Sequence, residues 1–267
     1  MNLPGQNTLE TLYRKLTRSF GQRGVLGTAQ QCIVAPAKLL KYSIRDLSPQ
    51  QRRYRAEEFE FDRRHNVDTR VRKDPGWLAG INSPNWVHGI GYEPVPVEDI
   101  AHIISSLDID FEQFVFLDMG AGKGRALLVA AQFPFQRIIG VEYAPNLAKV
   151  LQENINSYTN DAQRCFELVG LLQDATEFEL PSEPLVCFFH HPFEEPIFRQ
   201  VLARIERSLS LFPRQILVIY YDPQCGNVFE ESPYFQVRTE GNAQRNVAAF
   251  SNWVVYSSCS ASAVGST

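Results

Sequence analysis

The residues of this 267-residue chain best suited to chemistry gather in one short turn and at three places downstream of it. The turn reads Asp118-Met119-Gly120-Ala121-Gly122-Lys123-Gly124, behind the apolar run Phe114-Val115-Phe116-Leu117 and ahead of an Ala-rich helical stretch reaching Ala131. A strand ending in a carboxylate, then Gly-x-Gly-x-Gly, then a helix sets backbone N–H groups and the positive end of a helix under a ligand. Glu142 ends the next apolar run, Ile138-Ile139-Gly140-Val141, about 20 residues past the glycines, where a carboxylate accepts hydrogen bonds from both hydroxyls of a ribose. Asp174, in Leu172-Gln173-Asp174-Ala175, stands where it accepts from an adenine amino group, with a helix cap or turn Asp as the competing role.

Three ligand classes compete for such a turn, and its neighbours separate them. A phosphate-binding Gly-x4-Gly-Lys-Ser/Thr loop needs a glycine where Leu117 stands and a hydroxyl where Gly124 stands, so magnesium has no ligand here. A dinucleotide fingerprint needs its third glycine at Arg125. Asp118 also repels a pyrophosphate, whereas S-adenosylmethionine carries a sulfonium, an ammonium and no phosphate. The charge therefore selects S-adenosylmethionine as the expected cofactor, with Asp118, Gly120, Gly122, Lys123, Gly124, Glu142, Asp174 and His190 as its expected contacts.

The run Phe116-Leu117-Asp118-Met119-Gly120-Ala121-Gly122-Lys123-Gly124-Arg125, with Gly140-Val141-Glu142 behind it, resembles motifs I and II of class I, Rossmann-like methyltransferases. It is most similar to a group of bacterial members written Asp-x-Gly-x-Gly-Lys-Gly-Arg. Those members often carry an upstream Phe-Asp-x-x-x-Gly-Val-Asp-Thr segment, matched by Phe61-Asp62-Arg63-Arg64-His65-Asn66-Val67-Asp68-Thr69 with Asn66 in place of the glycine. Their Tyr-x-Pro-x-Pro segment is matched by Tyr92-Glu93-Pro94-Val95-Pro96. The resemblance covers residues 59–257 and implies that Tyr92 lies over the methionine end of the cofactor, a packing tyrosine being the alternative.

In that family the end of the fourth strand faces the transferred methyl, and here it reads Phe188-Phe189-His190-His191-Pro192-Phe193. N-methyltransferases of nucleic acids and of glutamine place Asn/Asp-Pro-Pro-Tyr/Phe there, and this chain resembles them only in Pro192-Phe193. His191 takes the Asn/Asp position, where an imidazole serves as base or hydrogen-bond acceptor, and Phe193 is expected to wall the acceptor pocket. Methyl transfer needs alignment more than covalent chemistry. Metal is not expected: adjacent histidines on a strand point to opposite faces, so one of the pair at most should line the site. The first expectation for the acceptor is a protein side-chain amine, because a lysine-methylating group shares the Asp-x-Gly-x-Gly-x-Gly-Arg core. A small molecule or RNA is the alternative acceptor, and a catalytically silent S-adenosylmethionine-binding or scaffold protein the alternative function.

The elements that must position these residues alternate in type. Apolar runs at 114–117, 138–141, 166–169, 185–189 and 216–221 read as strands, and 97–107, 145–155 and 195–211 as helices. Such alternation predicts an α/β fold: a mostly parallel Rossmann-like sheet covered on both faces, ended by an antiparallel hairpin from 234–239 and 253–257. Ahead of it come a basic helical extension over 1–73 and a Gly/Pro/Trp-rich linker or lid over 74–96, whose Trp77 and Asn85-Trp86 stand as lid candidates. The cofactor-binding domain spans 97–259, and residues 260–267 form a frayed tail. Within the extension, apolar spacing predicts two short helices over 9–41, and Ser48-Pro49-Gln50-Gln51 a third helix start.

Charge is lopsided within a net −4. Residues 1–73 hold 15 Lys+Arg against 7 Asp+Glu, and the remainder 11 against 23. The basic front suits an acidic partner such as RNA, or simply a solvated helix face, which Glu57, Glu58 and Glu60 among the arginines favour. His65, His88 and His102 lack partners at ligand spacing and read as packing or surface residues. Five cysteines (Cys32, Cys165, Cys187, Cys225, Cys259) without CxxC spacing fit neither a disulfide framework nor a zinc knuckle. With no run long enough to span a bilayer, a cytoplasmic protein without membrane partners is expected.

Overall fold

The computed structural model describes residues 49–70, 81, 83, 85, 92–242 and 252–259. The helices expected over 9–41, the loop residues Trp77, Trp86 and His88, and the tail from Ser260 lie outside the described residues.

Five strands, β1 (Val115–Met119), β2 (Arg137–Glu142), β3 (Leu168–Leu172), β4 (Leu185–His190) and β5 (Ile216–Tyr221), pair in parallel. With β6 (Phe235–Asn242) and β7 (Asn252–Ser258) they make one seven-stranded sheet in the order β3-β2-β1-β4-β5-β7-β6. The chain steps outward from β1 to β3 and then returns to place β4 on the other side of β1. The crevice at that reversal, outside the carboxyl ends of the strands, is where open α/β sheets bind ligands. β7 is inserted between β5 and β6 and runs antiparallel to both, so the terminal hairpin extends the sheet with β6 at its edge.

Period-two alternation decides which side chain enters which layer. Phe116, Val186 and Phe188 point to one face, with Ile100, Ile103 and Ile104 of α2 (Val97–Ser105) and Leu127 and Leu128 of α3 (Arg125–Ala130). Leu151 of α4 (Pro145–Ser157) joins that layer. Leu117, Cys187 and Phe189 point to the other, with Phe198, Val201 and Ile205 of α5 (Glu195–Leu211) and Phe229 of α6 (Asn227–Glu230). This is the Rossmann-like sheet read from the sequence. The third strand lies two residues beyond the apolar run 166–169: Phe166 is 78% exposed, and Ile138 N–H reaches Glu167 O to start the β2–β3 ladder. α6 carries no sequence signal of its own beyond Val228 and Phe229, which are buried.

The described part of the basic extension is bound into this body. α1 (Pro49–His65) sends Phe61 into the core, and its carboxylates Glu58 and Asp62 are buried with polar partners. Glu58 pairs with Arg125, whose Nε donates to Thr69 Oγ1 at 2.9 Å. Asp62 accepts from Thr69 N at 3.0 Å, Thr69 Oγ1 at 2.6 Å and Arg70 Nε at 3.0 Å. On the outer face Arg63 and Arg64 are exposed and pair with Glu60, the solvated-face arrangement. His65 rests against Thr159 O at 2.7 Å, and His102 packs edge-on to Trp253, both as packing residues.

Between Asp62 and Thr69 the chain reverses at Asn66, whose φ is +56°. This explains why the resembling segment has glycine there and why asparagine substitutes for it: both enter the left-handed region at low cost. Asn66→Ala is expected to lower stability by about 1 kcal/mol and Asn66→Gly to leave it nearly unchanged, as read from urea unfolding midpoints. Equal loss in both variants would mean that the asparagine side chain, rather than its backbone, is what the turn needs.

Candidate functional site

The turn after β1 is built by close approach. Gly120, Gly122 and Gly124 have φ of +94°, +56° and +88°. A Cβ at Gly120 would lie 2.3 Å from Pro192 Cβ, one at Gly122 2.2 Å from Tyr92 Cδ2, and one at Gly124 2.4 Å from Leu151 Cδ1. The three glycines thus let the β4 turn, the Tyr92 ring and α4 close around one backbone loop. Gly120 N and Ala121 N donate to Val141 O at 2.9 and 3.0 Å, fixing the loop to β2.

Glu142, at the end of β2, is buried beside that loop. Its Oε2 accepts from Gly122 N and its Oε1 from Ala144 N, each at 2.8 Å. The Tyr143 backbone N–H also donates to this carboxylate, so three backbone donors hold it, and of about four acceptor positions one remains for a ligand. Burial pushes the Glu142 carboxyl up to about 7 against the backbone hydrogen bonds that hold it down. Burial and the Glu142 charge together hold the Asp118 carboxyl well above the carboxylate range.

These groups face an open crevice enclosing about 910 Å³ of empty space, including solvent at its mouth. Tyr92, Asp118, Gly120, Gly122, Glu142, Asp174, His190, His191 and Phe193 all line it, as do Asn85 and Arg125. Of the expected cofactor set, Gly124 and Lys123 do not. Lys123 turns the other way, its Nζ 2.9 Å from Arg70 O and 3.3 Å from Asp68 Oδ1. Its backbone is held too, since Asn154 Nδ2 donates to Lys123 O at 2.8 Å and to Asp68 O at 2.9 Å. The lysine that looks like a ligand-binding cation fastens the turn to the extension.

Tyr92 does two things at once. Its ring lies against Gly122, and its hydroxyl donates to Thr69 O at 2.6 Å, so the loop is pressed between the ring and β2. Asp174 likewise serves as both wall and turn residue, accepting from Thr176 N at 2.8 Å and Thr176 Oγ1 at 2.7 Å. Burial raises its carboxyl, but hydrogen bonds from Ser83, Thr176 and Asn85 outweigh this and hold it below its ordinary value.

Both histidines line the crevice, which corrects the expectation that one at most would. Alternation fails because β4 ends at His190 and His191 has φ +40°, which swings the next side chain to the same side. Burial pushes His190 down to about 4, and burial also lowers His191. Both rings are therefore neutral near pH 7. His190 packs edge-on to Tyr221, while His191 Nδ1 lies 3.3 Å from the Tyr220 hydroxyl. Phe193 is buried against Phe189 and Phe198 with one face on the crevice. Among the described residues no three His, Cys, Asp or Glu side chains gather as a metal site, and no helix is long and apolar enough to cross a membrane.

No family model and no curated protein matches the chain. Among solved structures it is similar to a SAM-dependent methyltransferase of Leishmania major, at 14% identity over 61% of this chain and 71% of that one, with a TM-score of 0.47. It is also similar to the magnesium protoporphyrin IX methyltransferase of Synechocystis with bound SAM, at 13% identity over 61% and 78%, with a TM-score of 0.46. Likeness at this level says nothing of activity, which has to be read from the crevice.

The raised Glu142 carboxyl has a consequence for stability. Below the unfolded value of 4.5 its contribution is complete, and it is lost as pH rises through about 7, because the folded state then has to hold a buried anion. The expected loss is about 3 kcal/mol between pH 4.5 and 8. Glu142→Gln should be less stable at pH 5, since its amide nitrogen opposes a backbone N–H, yet flatter from pH 5 to 8 in urea unfolding. A parallel pH profile in both proteins would place the titration elsewhere.

Proposed function

We propose that this chain is an S-adenosylmethionine-dependent methyltransferase whose acceptor is a protein side-chain amine. The observation that carries the reading is a row of carboxylates, Asp118, Glu142 and Asp174, at the ends of β1 and β2 and just past β3, lining a crevice whose neighbouring cations are engaged by other side chains. Lys123 is engaged by Asp68 and Arg125 by Glu58 and Thr69. A sulfonium and an ammonium in that crevice favour the ionised forms of its raised carboxyls, whereas a pyrophosphate opposes them.

The residues fit the cofactor part by part. Beside its three backbone donors Glu142 keeps an acceptor position for a ribose hydroxyl, and the Cβ-free loop lets the ligand lie on backbone. Asp118 takes the cationic methionine end, under the ring of Tyr92. When bound, S-adenosylmethionine supplies an electrophilic methyl group on its sulfonium. What remains for the protein is to orient the acceptor, exclude water and take a proton.

His191 and Phe193 serve those ends. Neutral by burial, the His191 imidazole has a lone pair for the proton that an amine must lose. The Tyr220 oxygen already accepts from Cys225 N at 3.2 Å and has a second acceptor position for His191 Nδ1–H. That tautomer leaves the lone pair on Nε2. Phe193 and Pro192 give the acceptor an apolar wall. The missing Asn-Pro-Pro-Tyr clamp favours a second reading, a silent S-adenosylmethionine-binding protein. A tritiated methyl-transfer assay on lysate fractions sorted into protein, RNA and small molecules separates the two readings and tests the acceptor class.

S-Adenosylmethionine and S-adenosylhomocysteine are expected to bind with micromolar dissociation constants, NAD and ATP not measurably, and cofactor affinity should rise from pH 6 to 8 as Glu142 ionises. Calorimetry checks this, and NAD binding as tightly as S-adenosylhomocysteine would sink the reading. His191→Ala is expected to lower turnover about 100-fold with little change in cofactor affinity. Turnover equal to the parent's would remove the imidazole from the chemistry.

A further inference from the structure

The Asp174 carboxylate sits where an adenine amino group would be read, yet its acceptor capacity is already used. A carboxylate offers about four acceptor positions, two on each oxygen. On Oδ1, Thr176 N and Thr176 Oγ1 donate at 2.8 and 2.7 Å. On Oδ2, the Ser83 hydroxyl and Asn85 Nδ2 donate, the latter at 3.1 Å. Four donors from the chain meet four positions, and a ligand N–H finds none open.

Asn85 is in the opposite condition. Its Nδ2 donates to Asp174 Oδ2 and to Thr176 Oγ1 at 3.2 Å, so both amide hydrogens are engaged and the orientation of the amide is fixed by its partners. Its backbone N–H is held by Ser83 Oγ at 3.0 Å. What Asn85 has left is its carbonyl oxygen, an acceptor that meets no donor among the described residues, on a side chain lining the crevice next to Asp174.

We infer that Asn85, and not Asp174, reads the ligand's base: its amide oxygen accepts from the exocyclic amino group of adenine, and Asp174 is the positioning residue that aims it. This rests on the proposed function and names the specificity determinant of the same site. A bare acceptor selects a 6-amino purine and rejects a 6-oxo purine, whose carbonyl would oppose the amide oxygen. Ser83, donating to Asp174 and holding the Asn85 backbone, fixes Asn85 at the crevice. Base recognition thereby belongs to a residue ahead of the sheet.

The test compares S-adenosylhomocysteine with its 6-oxo analogue, S-inosylhomocysteine, by calorimetry on the full chain. The unaltered protein should prefer the 6-amino ligand by about tenfold or more, the worth of one hydrogen bond. In Asn85→Leu, which keeps the branched shape and removes the acceptor, the preference should fall to about twofold or less, as 6-amino binding weakens and the opposition to the 6-oxo group is relieved. A preference retained in Asn85→Leu overturns the assignment and leaves the proposed function standing. Binding of neither ligand by the unaltered protein overturns both. Should the variant fail to fold, a structure of the unaltered protein with S-adenosylhomocysteine decides: the amino nitrogen within about 3.2 Å of Asn85 Oδ1 supports the inference, and the same nitrogen on an Asp174 oxygen refutes it.

Discussion

Everything in the crevice depends on a carboxylate that is buried before any ligand arrives. Glu142 ties Gly122 N, in the turn after β1, to Ala144 N, at the start of α4. Burying that group opposes its ionisation, and the backbone donors Gly122, Tyr143 and Ala144 are what make it tolerable. Because those donors belong to two different loops, the same interaction sets the floor of the crevice and the entry of α4. The left-handed glycines follow from it: a loop drawn toward Glu142 has to pass within contact of Pro192, Tyr92 and Leu151, and side chains at 120, 122 and 124 would hold it off.

A second buried polar system secures the loop from the opposite side. Arg125 begins α3 directly after the turn, and its guanidinium is held by Glu58 of α1 and by Thr69, which Asp62 in turn fixes. Buried ion pairs contribute little net stability once desolvation is counted, but they penalise any arrangement that separates the partners. Here the partners are the helix α1 and the glycine turn. Tyr92 extends the same system, donating to Thr69 O while its ring covers Gly122. The described part of the basic extension thereby supports the crevice wall from behind, through Arg125 and Tyr92.

The order of strands and helices was readable because apolar runs and glycine turns alternate with few ambiguities, and the carboxylate spacing from Asp118 to Glu142 to Asp174 pointed to one crevice. The details that escaped are those in which a local conformation overrides a period. His191 joins His190 in the crevice because its φ is +40°, and strand alternation stops applying once β4 has ended. Lys123 reads as a cofactor contact by its place in the glycine turn, but left-handed residues at 122 and 124 flank it and its side chain meets Asp68. β3 is displaced by two residues because it borders the sheet, where an exposed Phe166 imitates a strand core. Asn66 was visible as a departure from the resembling pattern, and its meaning required the backbone angle.

The absence of an Asn-Pro-Pro-Tyr clamp need not imply a silent site, because what that clamp supplies can be divided differently. A clamp holds an amine by acceptors on a rigid turn and stacks an aromatic ring on it. In this chain Pro192 contacts Gly120 closely enough that no Cβ would fit between them, which fixes the β4 turn onto the glycine loop. In the proposed role Phe193, anchored by Phe189 and Phe198, supplies the ring. In the same role His191, which lines the crevice with a φ of +40°, supplies the acceptor. An imidazole in this place differs from an amide in one respect that matters for an amine: it can remove a proton as well as accept a hydrogen bond. Burial, by keeping the ring neutral, preserves the lone pair on which that difference depends.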